Sequence, residues 1–250
     1  VVIHADAASS CELLEWDTAF FGVRIGRVRG HRLTNDQAAA ALDWASREAI
    51  ACLYLLADAD HHETIRAAAR HAFALTDVRF ELAAPIATDD LEPVPATIRR
   101  AQQSDGARLT ALARTSHRNT RFYADPHFNR ARCDDLYALW LERSLSGELA
   151  DVVFTSDVDG MAVGYAAVRQ TSPETGQIGL IAVDSAQRGG GHGAALMAAA
   201  KQWCADRGIR RLRVVTQGGN AAAIRFYERA GFTAEAVRLW YHHWSSAASD

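Results

Sequence analysis

The chain lacks the marks of several whole classes of protein. Five prolines and seventeen glycines in 250 residues leave little room for a long flexible linker. The four cysteines, Cys11, Cys52, Cys133 and Cys204, form no Cys-x-x-Cys pair, and their wide spacing is not that of a zinc site. They read as free thiols of a reducing compartment, so a cytoplasmic location is expected. A formal charge of -3 gives no general reason to bind nucleic acid. No apolar run approaches the roughly 18 residues of a membrane span, and the opening Val1 to Asp6 has neither the basic nor the apolar region of a leader. The first residue is not methionine, so preceding residues are expected. No repeat of solenoid period occurs. What remains, 49% hydrophobic and 23% charged residues, is the composition of a globular protein, long enough for one large domain or two modest ones.

Hydrophobic periodicity divides the chain. In residues 1–90 a strand is expected at Val23 to Val28, a helix from Asn35 to Glu48 with Thr34 as N-cap, and a buried strand from Ala51 to Leu56. A helix from His61 to Phe73 and a strand from Val78 to Leu82 complete an α/β module. Ala84 to Pro95, with two prolines and an Asp89-Asp90 turn, is the expected boundary to a second domain, residues 91–250. There, helices are expected at Ser104 to Ser116 and Arg132 to Ser144. The polar stretch His117 to Asn129 between them reads as a loop whose arginines and aromatics either serve a ligand or pack at a domain junction. A hairpin follows, Asp151 to Phe154 and Ala162 to Arg169, then a central strand, Gln177 to Val183. A helix from Ala194 to Arg207, a strand from Leu212 to Thr216, a helix from Asn220 to Ala230 and a closing strand from Glu235 to His242 end the pattern. The apolar positions of that last strand, Val237, Leu239 and Tyr241, offer an exposed surface for pairing two copies into a homodimer.

The most informative segment joins the central strand to the following helix and holds Gly189, Gly190, Gly191 and Gly193. Without side chains in the way, successive backbone N–H groups can converge there, and the helix start adds its unpaired donors and the positive end of its dipole. This is a site for a phosphate or pyrophosphate, with Arg188 to add a charge-assisted contact; the alternative is a turn with no ligand. The Walker pattern fails, because no Gly-Lys-Ser/Thr follows the glycines. The dinucleotide fingerprint fits only formally. Its acidic partner would be Asp206, inside the helix rather than at the end of a second strand.

Arg188, Gly191 and Gly193 match the Arg/Gln-x-x-Gly-x-Gly/Ala motif, preceded by a strand that ends in Val183-Asp184. Further on, Asn220, Ala223 and Tyr227 match Asn-x-x-Ala-x-x-x-Tyr, followed by Gly231-Phe232. With both motifs in order, the sequence from Ile98 to Trp244 resembles the GCN5-related N-acetyltransferase (GNAT) superfamily. The resemblance implies an α/β (α+β) fold with a mixed, twisted sheet flanked by helices, here preceded by a smaller module like a partial copy of the same domain. It implies acetyl-CoA as cofactor, held by Ile181, Ala182 and Val183 along the pantetheine arm and by Arg188, Gly189, Gly190, Gly191, His192, Gly193 and Ala194 at the pyrophosphate. Asn220, Ala223 and Tyr227 would complete that set, and Tyr227 would protonate the departing thiolate as general acid. Judged by spacing alone, these last three are equally the buried face of a short helix. Asp184, Glu174, Asp125, His117 and His127 are open candidates for the base. His242 and His243 alternate on the closing strand, so only one of them can face a cleft.

The run Leu14 to Val23, with Trp16, Asp17, Phe20, Phe21 and Gly22, resembles the subfamily of bacterial dTDP-fucosamine acetyltransferases. That resemblance implies a small-molecule amine as partner, a dTDP-linked 4-amino-4,6-dideoxy sugar. Arg118, Arg121, Phe122 and Tyr123 would be the substrate-binding residues, supplying cations for the phosphates and aromatic surface for sugar or base. The aromatic run itself also reads as a clasp between domains. Other amines (amino acids, polyamines, antibiotics, protein N-termini) and a non-catalytic acyl-CoA sensor remain alternatives.

Overall fold

A computed structural model describes residues 10–88 and 91–245. The Asp89-Asp90 turn and the last five residues lie outside the described residues. The N-terminal half contains β1 (Cys11–Leu13), α1 (Glu15–Phe21), β2 (Ile25–Val28), α2 (Asn35–Arg47), β3 (Cys52–Asp58), α3 (His62–Arg70) and β4 (Ala74–Pro85). The remainder contains β5 (Ile98–Arg100), α4 (Gly106–Ser116), α5 (Arg121–Ala124), α6 (Arg130–Leu145), β6 (Val152–Val158), β7 (Met161–Ser172) and β8 (Thr175–Val183). It ends with α7 (His192–Ala205), β9 (Arg211–Gln217), α8 (Ala221–Arg229) and β10 (Thr233–Trp244).

Local chemistry explains the borders. The Thr34 hydroxyl accepts the Gln37 N–H while the Gln37 side chain returns to the Thr34 N–H, a reciprocal cap that starts α2. Asp159 and Gly160 both take positive φ, the geometry of a two-residue turn whose twist matches strands β6 and β7. The helix α1 has neither length nor a capping side chain at Leu14, so sequence periodicity does not reveal it. The stretch expected as a loop, 117–129, contains the four-residue α5; the rest of it is irregular.

The ten strands among the described residues join one sheet in the order β1-β2-β3-β10-β4-β9-β8-β7-β6-β5. The pairs β2/β3 and β8/β9 are parallel and the others antiparallel, so the sheet is mixed as the family resemblance implies. The closing strand is not an edge. β10 runs between β3 and β4, and Tyr241 is buried beneath α2 and α3, which removes the exposed strand on which pairing of two copies was expected. Side-chain alternation sends Val153, Tyr165 and Ala167 into a core under α4 and α6, while Val152 and Val168 enter a second core with Met197 and Tyr227 of α7 and α8. The first core continues across β3 through Cys52 and Tyr54 to the aromatic side chains of α1. Phe21 stacks on Phe122 and touches Phe128, so the aromatic run is a clasp between the first helix and the 117–129 segment. Among the described residues no helix is long and apolar enough to cross a membrane.

Candidate active site

The sheet opens at one place. β8 pairs with β9 from Thr175↔Arg211 to Ile178↔Val214, and there the ladder stops. On its other side β8 continues along β7 to Gly164↔Val183, with a register shift between Ala167↔Leu180 and Val168↔Ile178. That irregularity falls at Gly179. A bulge re-aims a strand, and this one turns Gly179 to Val183 away from β9. Meanwhile β9 stays with β4 as far as Arg79↔Gln217. The result is a wedge with an unpaired strand edge on the β8 side, running past Ile181, Ala182 and Val183. An extended amide-bearing arm can pair with such an edge.

Below the wedge lies the glycine turn. Gly189 and Gly191 take φ of 85° and 83°, where a side chain is costly, and a Cβ at either would meet no other atom. The turn is therefore open outward, and Gly191 as N-cap of α7 offers no side chain to the first N–H groups of the helix. His192 is tied back by its Nδ1 to the Ser156 hydroxyl at 2.9 Å, and Gly193 lies against the ring of Phe226. Arg188 is exposed, with its Nε 3.4 Å from the Val183 carbonyl. Exposed, uncapped amides at a helix start, an adjacent arginine and a free strand edge are the donor set that a pyrophosphate with an amide-bearing arm requires. These residues fit coenzyme A.

The α8 residues sit at the same wedge. The Asn220 Oδ1 accepts the Ala223 N–H at 3.2 Å, so this oxygen caps α8 and only the amide NH2 is left for a ligand. Tyr227 is buried against Phe226 and Phe232, in the core that contains Ile178 and Val214, the last pair of the β8/β9 ladder. Among the described residues nothing hydrogen-bonds its hydroxyl, and burial pushes the phenol well above its ordinary pKa, so it holds its proton at neutral pH.

A cavity of about 830 Å3 lies on the α5 side of the sheet. Its walls are Leu75 to Val78 at the start of β4, residues 118–120, Tyr123 and Ala124 of α5, Arg130 and Asp134 of α6, and Gly219. The position follows from the register. His117 donates to or accepts from the Tyr165 hydroxyl at 2.7 Å, and Tyr165 pairs with Ala182, so the 118–120 rim stands over β7 and β8. The opposite wall, Val78, bonds Gly218 just past the end of β9 and next to Asn220. The cavity thus spans the mouth of the wedge.

Of the two acidic groups in this cavity, Asp134 is taken up by Tyr123 and Arg118, and the other is Asp77, which sequence reasoning did not single out. Burial raises its pKa to about 6, against the lowering pull of the Val78 and Arg121 N–H groups and the Arg121 guanidinium. The groups named earlier as bases are engaged elsewhere. Asp184 pairs with Arg108 at 2.6 Å, and Glu174 is exposed at the far end of β8. Asp125 accepts His242 Nδ1 at 2.6 Å, Trp244 Nε1 at 2.8 Å and the N–H and ring of His127, and these bonds hold it well below the usual carboxylate range although burial opposes them. Burial drives His117 down to about 4. His242 and His243 do face opposite ways, His242 toward Asp125 and His243 onto Phe73.

The four residues expected at the acceptor separate. Arg118 and Tyr123 line the cavity, with Arg118 3.6 Å from Asp134 and the Tyr123 hydroxyl on the same carboxylate at 2.5 Å. Phe122 is buried in the core, because its ring is held by Phe21 and Phe128. Arg121 turns inward as well. Its guanidinium lies 4.0 Å from the Tyr54 ring, 4.1 Å from Phe122 and 4.2 Å from Trp240, and Nη1 donates to His242 Nε2 at 2.8 Å. With Nδ1 donating to Asp125, His242 is neutral, and burial drives it to about 4.

Residues 100–232 match the model of the acetyltransferase (GNAT) family. The dTDP-fucosamine acetyltransferase of Escherichia coli O6:H1 is 30% identical over 239 residues, 94% of this chain and 98% of that protein. The spore coat polysaccharide biosynthesis protein SpsD of Bacillus subtilis is 30% identical over 143 residues, 57% of this chain and 49% of that one. A GCN5-related N-acetyltransferase from Sphaerobacter thermophilus has the same fold, with a TM-score of 0.64 at 16% identity over 94% of this chain and 76% of its own. The wedge, the glycine turn and these matches agree: the chain belongs to the acetyltransferase (GNAT) family, and it is an acetyl-CoA-dependent acyltransferase acting on a small amine.

Proposed function

We propose that the acceptor is the amino group of a nucleotide-linked 4-amino-4,6-dideoxy sugar, a dTDP sugar in the first instance, and that Asp77 and Tyr227 move the protons. The observation that carries the reading is the cavity at the wedge mouth. It holds a carboxylate at its inner wall and arginines at its rim, and at about 830 Å3 it is larger than a lone sugar ring needs. Similarity over nearly full length to a dTDP-fucosamine acetyltransferase supports the same class of acceptor.

Acetyl-CoA, when bound, supplies an activated thioester carbonyl. Asp77 takes a proton from the acceptor ammonium, which leaves a lone pair on the nitrogen; a carboxyl with a pKa near 6 is ionised at neutral pH yet basic enough for that task. The backbone N–H groups of the free β8 edge around Val183 would be donors to the thioester oxygen and would favour negative charge there. With the thioester bound, the nitrogen lone pair would form the C–N bond as the C–S bond breaks, the Tyr227 hydroxyl would give its proton to the departing sulfur, and the second proton of the acylated nitrogen would restore the phenol. Ile181, Ala182 and Val183 hold the pantetheine arm, Arg188, Gly189, Gly190, Gly191, His192, Gly193 and Ala194 the pyrophosphate, and Asn220 and Ala223 line the arm from α8. Arg118 and Tyr123 contact the acceptor, whereas Arg121 and Phe122 support α5 from beneath. The same proposal keeps residues 1–90 as an N-terminal module that lends β4 to the acceptor wall of the 91–250 catalytic domain, and puts the protein in the cytoplasm.

The test is release of free CoA thiol, with product mass confirmed, against dTDP- and UDP-linked 4-amino-4,6-dideoxyhexoses, amino acids, polyamines and short peptides. Saturable acetylation of a nucleotide-linked amino sugar is expected. Turnover confined to an unrelated amine would overturn the acceptor assignment.

A further inference from the structure

The charged groups of the cavity are unevenly paired. Two carboxylates and two guanidinium groups line it: Asp77 and Asp134, Arg118 and Arg130. Asp134 is already occupied, by the Tyr123 hydroxyl on one oxygen and by Arg118 on the other. Arg130 has no such partner. Among the described residues no carboxylate pairs with it; its Nη1 donates to the Tyr123 carbonyl, and its guanidinium stands 5.7 Å from the Tyr123 ring. Those two contacts hold the group at the cavity wall and leave most of its donors free. Arg121, the other cation expected here, is withdrawn beneath Tyr54, Phe122 and Trp240. Arg130 is also the first residue of α6, whose opening N–H groups at Ala131 and Arg132 are capped by the Asn129 side chain. It is therefore anchored on a helix rather than carried on a free loop.

We propose that Arg130, assisted by Arg118, binds the diphosphate of the acceptor, so that the enzyme selects an amine bearing a nucleoside diphosphate over the same amine without one. This deepens the acceptor reading given above and rests on it. A guanidinium offers paired N–H donors that match phosphate oxygens, and one without a protein carboxylate gives up no ion pair when the ligand arrives. Arg118 is less free, since at 3.6 Å it shares the charge of Asp134. Binding of phosphate pulls it from that carboxylate, and Tyr123 retains its own bond to Asp134. The order of importance is therefore Arg130 first and Arg118 second. With the amine at Asp77 on the inner wall, the sugar occupies the space between, and the nucleoside projects toward solvent past Tyr123.

The experiment is calorimetric titration of thymidine diphosphate into the full chain saturated with CoA, which keeps the glycine turn filled and silent. Wild type should bind saturably. Arg130→Gln should weaken binding at least tenfold, Arg118→Gln by a smaller factor, and Arg130→Lys should fall between Gln and wild type. CoA affinity, measured separately on Arg130→Gln, reports that the variant is folded. Thymidine, which has no phosphate, should not distinguish wild type from Arg130→Gln. The inference is overturned if CoA-saturated wild type does not bind the diphosphate, if Arg130→Gln binds it as wild type does, or if thymidine and thymidine diphosphate weaken equally. Diphosphate binding that depends on Arg130, without acetylation of any nucleotide-linked amino sugar, would overturn the acceptor reading and with it the proposed selectivity, and would leave only a diphosphate-binding site at Arg130; loss of the Arg130 dependence with acetylation retained would overturn this inference alone.

Discussion

The donor side and the acceptor side of this site are built by opposite means. The donor side is mainly backbone: a strand edge freed by the bulge at Gly179, a turn opened by Gly189 and Gly191, and the uncapped start of α7 form one continuous stretch, to which α8 adds a second. The proposed acceptor side is side chains, gathered from β4, the 118–124 segment, α6 and the Gly219 turn. Backbone donors need only the right dihedral angles over a few neighbouring residues. Side-chain groups need the whole fold to bring them together. The donor side should therefore respond to changes of local conformation and the acceptor side to changes of single functional groups or of the packing behind them.

The largest effect belongs to Asp77. Asp77→Asn removes the carboxylate and nearly preserves shape, so kcat/KM at pH 7 should fall by about 10² to 10⁴, the usual range for loss of a general base. The base works ionised, so wild-type activity should rise with pH through about 6, and the variant should lose that limb. A variant that keeps both its rate and its pH profile would remove Asp77 from the reaction.

Next comes the support beneath the acceptor side, which is acid-sensitive. His242 is almost fully buried and titrates near 4 in the folded chain, below the ordinary 6.5. A depressed histidine means that the unfolded chain takes up the proton first, so stability is lost as pH falls from 6.5 to 4. Over that interval the loss amounts to about 3 kcal/mol. His117, driven to about 4 by burial, acts in the same direction. Asp125, held low, adds further loss only below about pH 4. Asp77 opposes them: with its folded pKa raised to about 6, it stabilises more as the solution becomes acid. Two histidines outweigh one half-buried carboxyl, so urea unfolding at pH 7 and pH 4.5 should show a net loss at the lower value. His242→Gln should be less stable at pH 7 and have a flatter dependence; an unchanged slope would refute the assignment.

Tyr227→Phe crosses the boundary between the two sides. Among the described residues nothing hydrogen-bonds the hydroxyl, so its removal strands no partner there, and stability and acetyl-CoA affinity should stay within a factor of about two to three. The kcat should fall about 100-fold if the phenol protonates the sulfur. Unchanged turnover would make Tyr227 a packing residue only.

The same contrast explains what could be read from the sequence. The donor side lies in two contiguous motifs, and their residues adjoin one wedge. Long elements with strong periodicity or caps were legible, α2 with its Thr34 cap and α7 with its alanine-rich core face among them. The three-residue strands β1 and β5 and the short α1 carry too few residues to show a period. Asp77 was illegible for another reason. Within β4 it is one polar position of an alternating strand, and only the neighbouring register of β9 and the 118–124 segment turn it into a cavity wall. Arg121 was legible as a cation but not in its direction, because the rings of Tyr54 and Trp240 that draw it inward are 67 and 119 residues away in the chain.

The smallest effect gives the sharpest comparison, because it tests whether the donor side is recognised by conformation alone. Gly191 has φ of 83°, and a Cβ placed there would meet no other atom, so a substitution introduces strain but no clash. Valine bears the full cost of that conformation, about 1 to 2 kcal/mol or more for a β-branched residue, and relaxes by moving the amides of His192 and Gly193. Asparagine tolerates the left-handed region far better. Equilibrium binding should therefore show acetyl-CoA affinity reduced about tenfold in Gly191→Val and much less in Gly191→Asn, although the two side chains are similar in size. If the two variants lose affinity equally, the glycine serves to leave space for the ligand rather than to set the turn. The contrast between a donor side made by backbone angles and an acceptor side made by side chains would then hold for the strand edge but not for the turn.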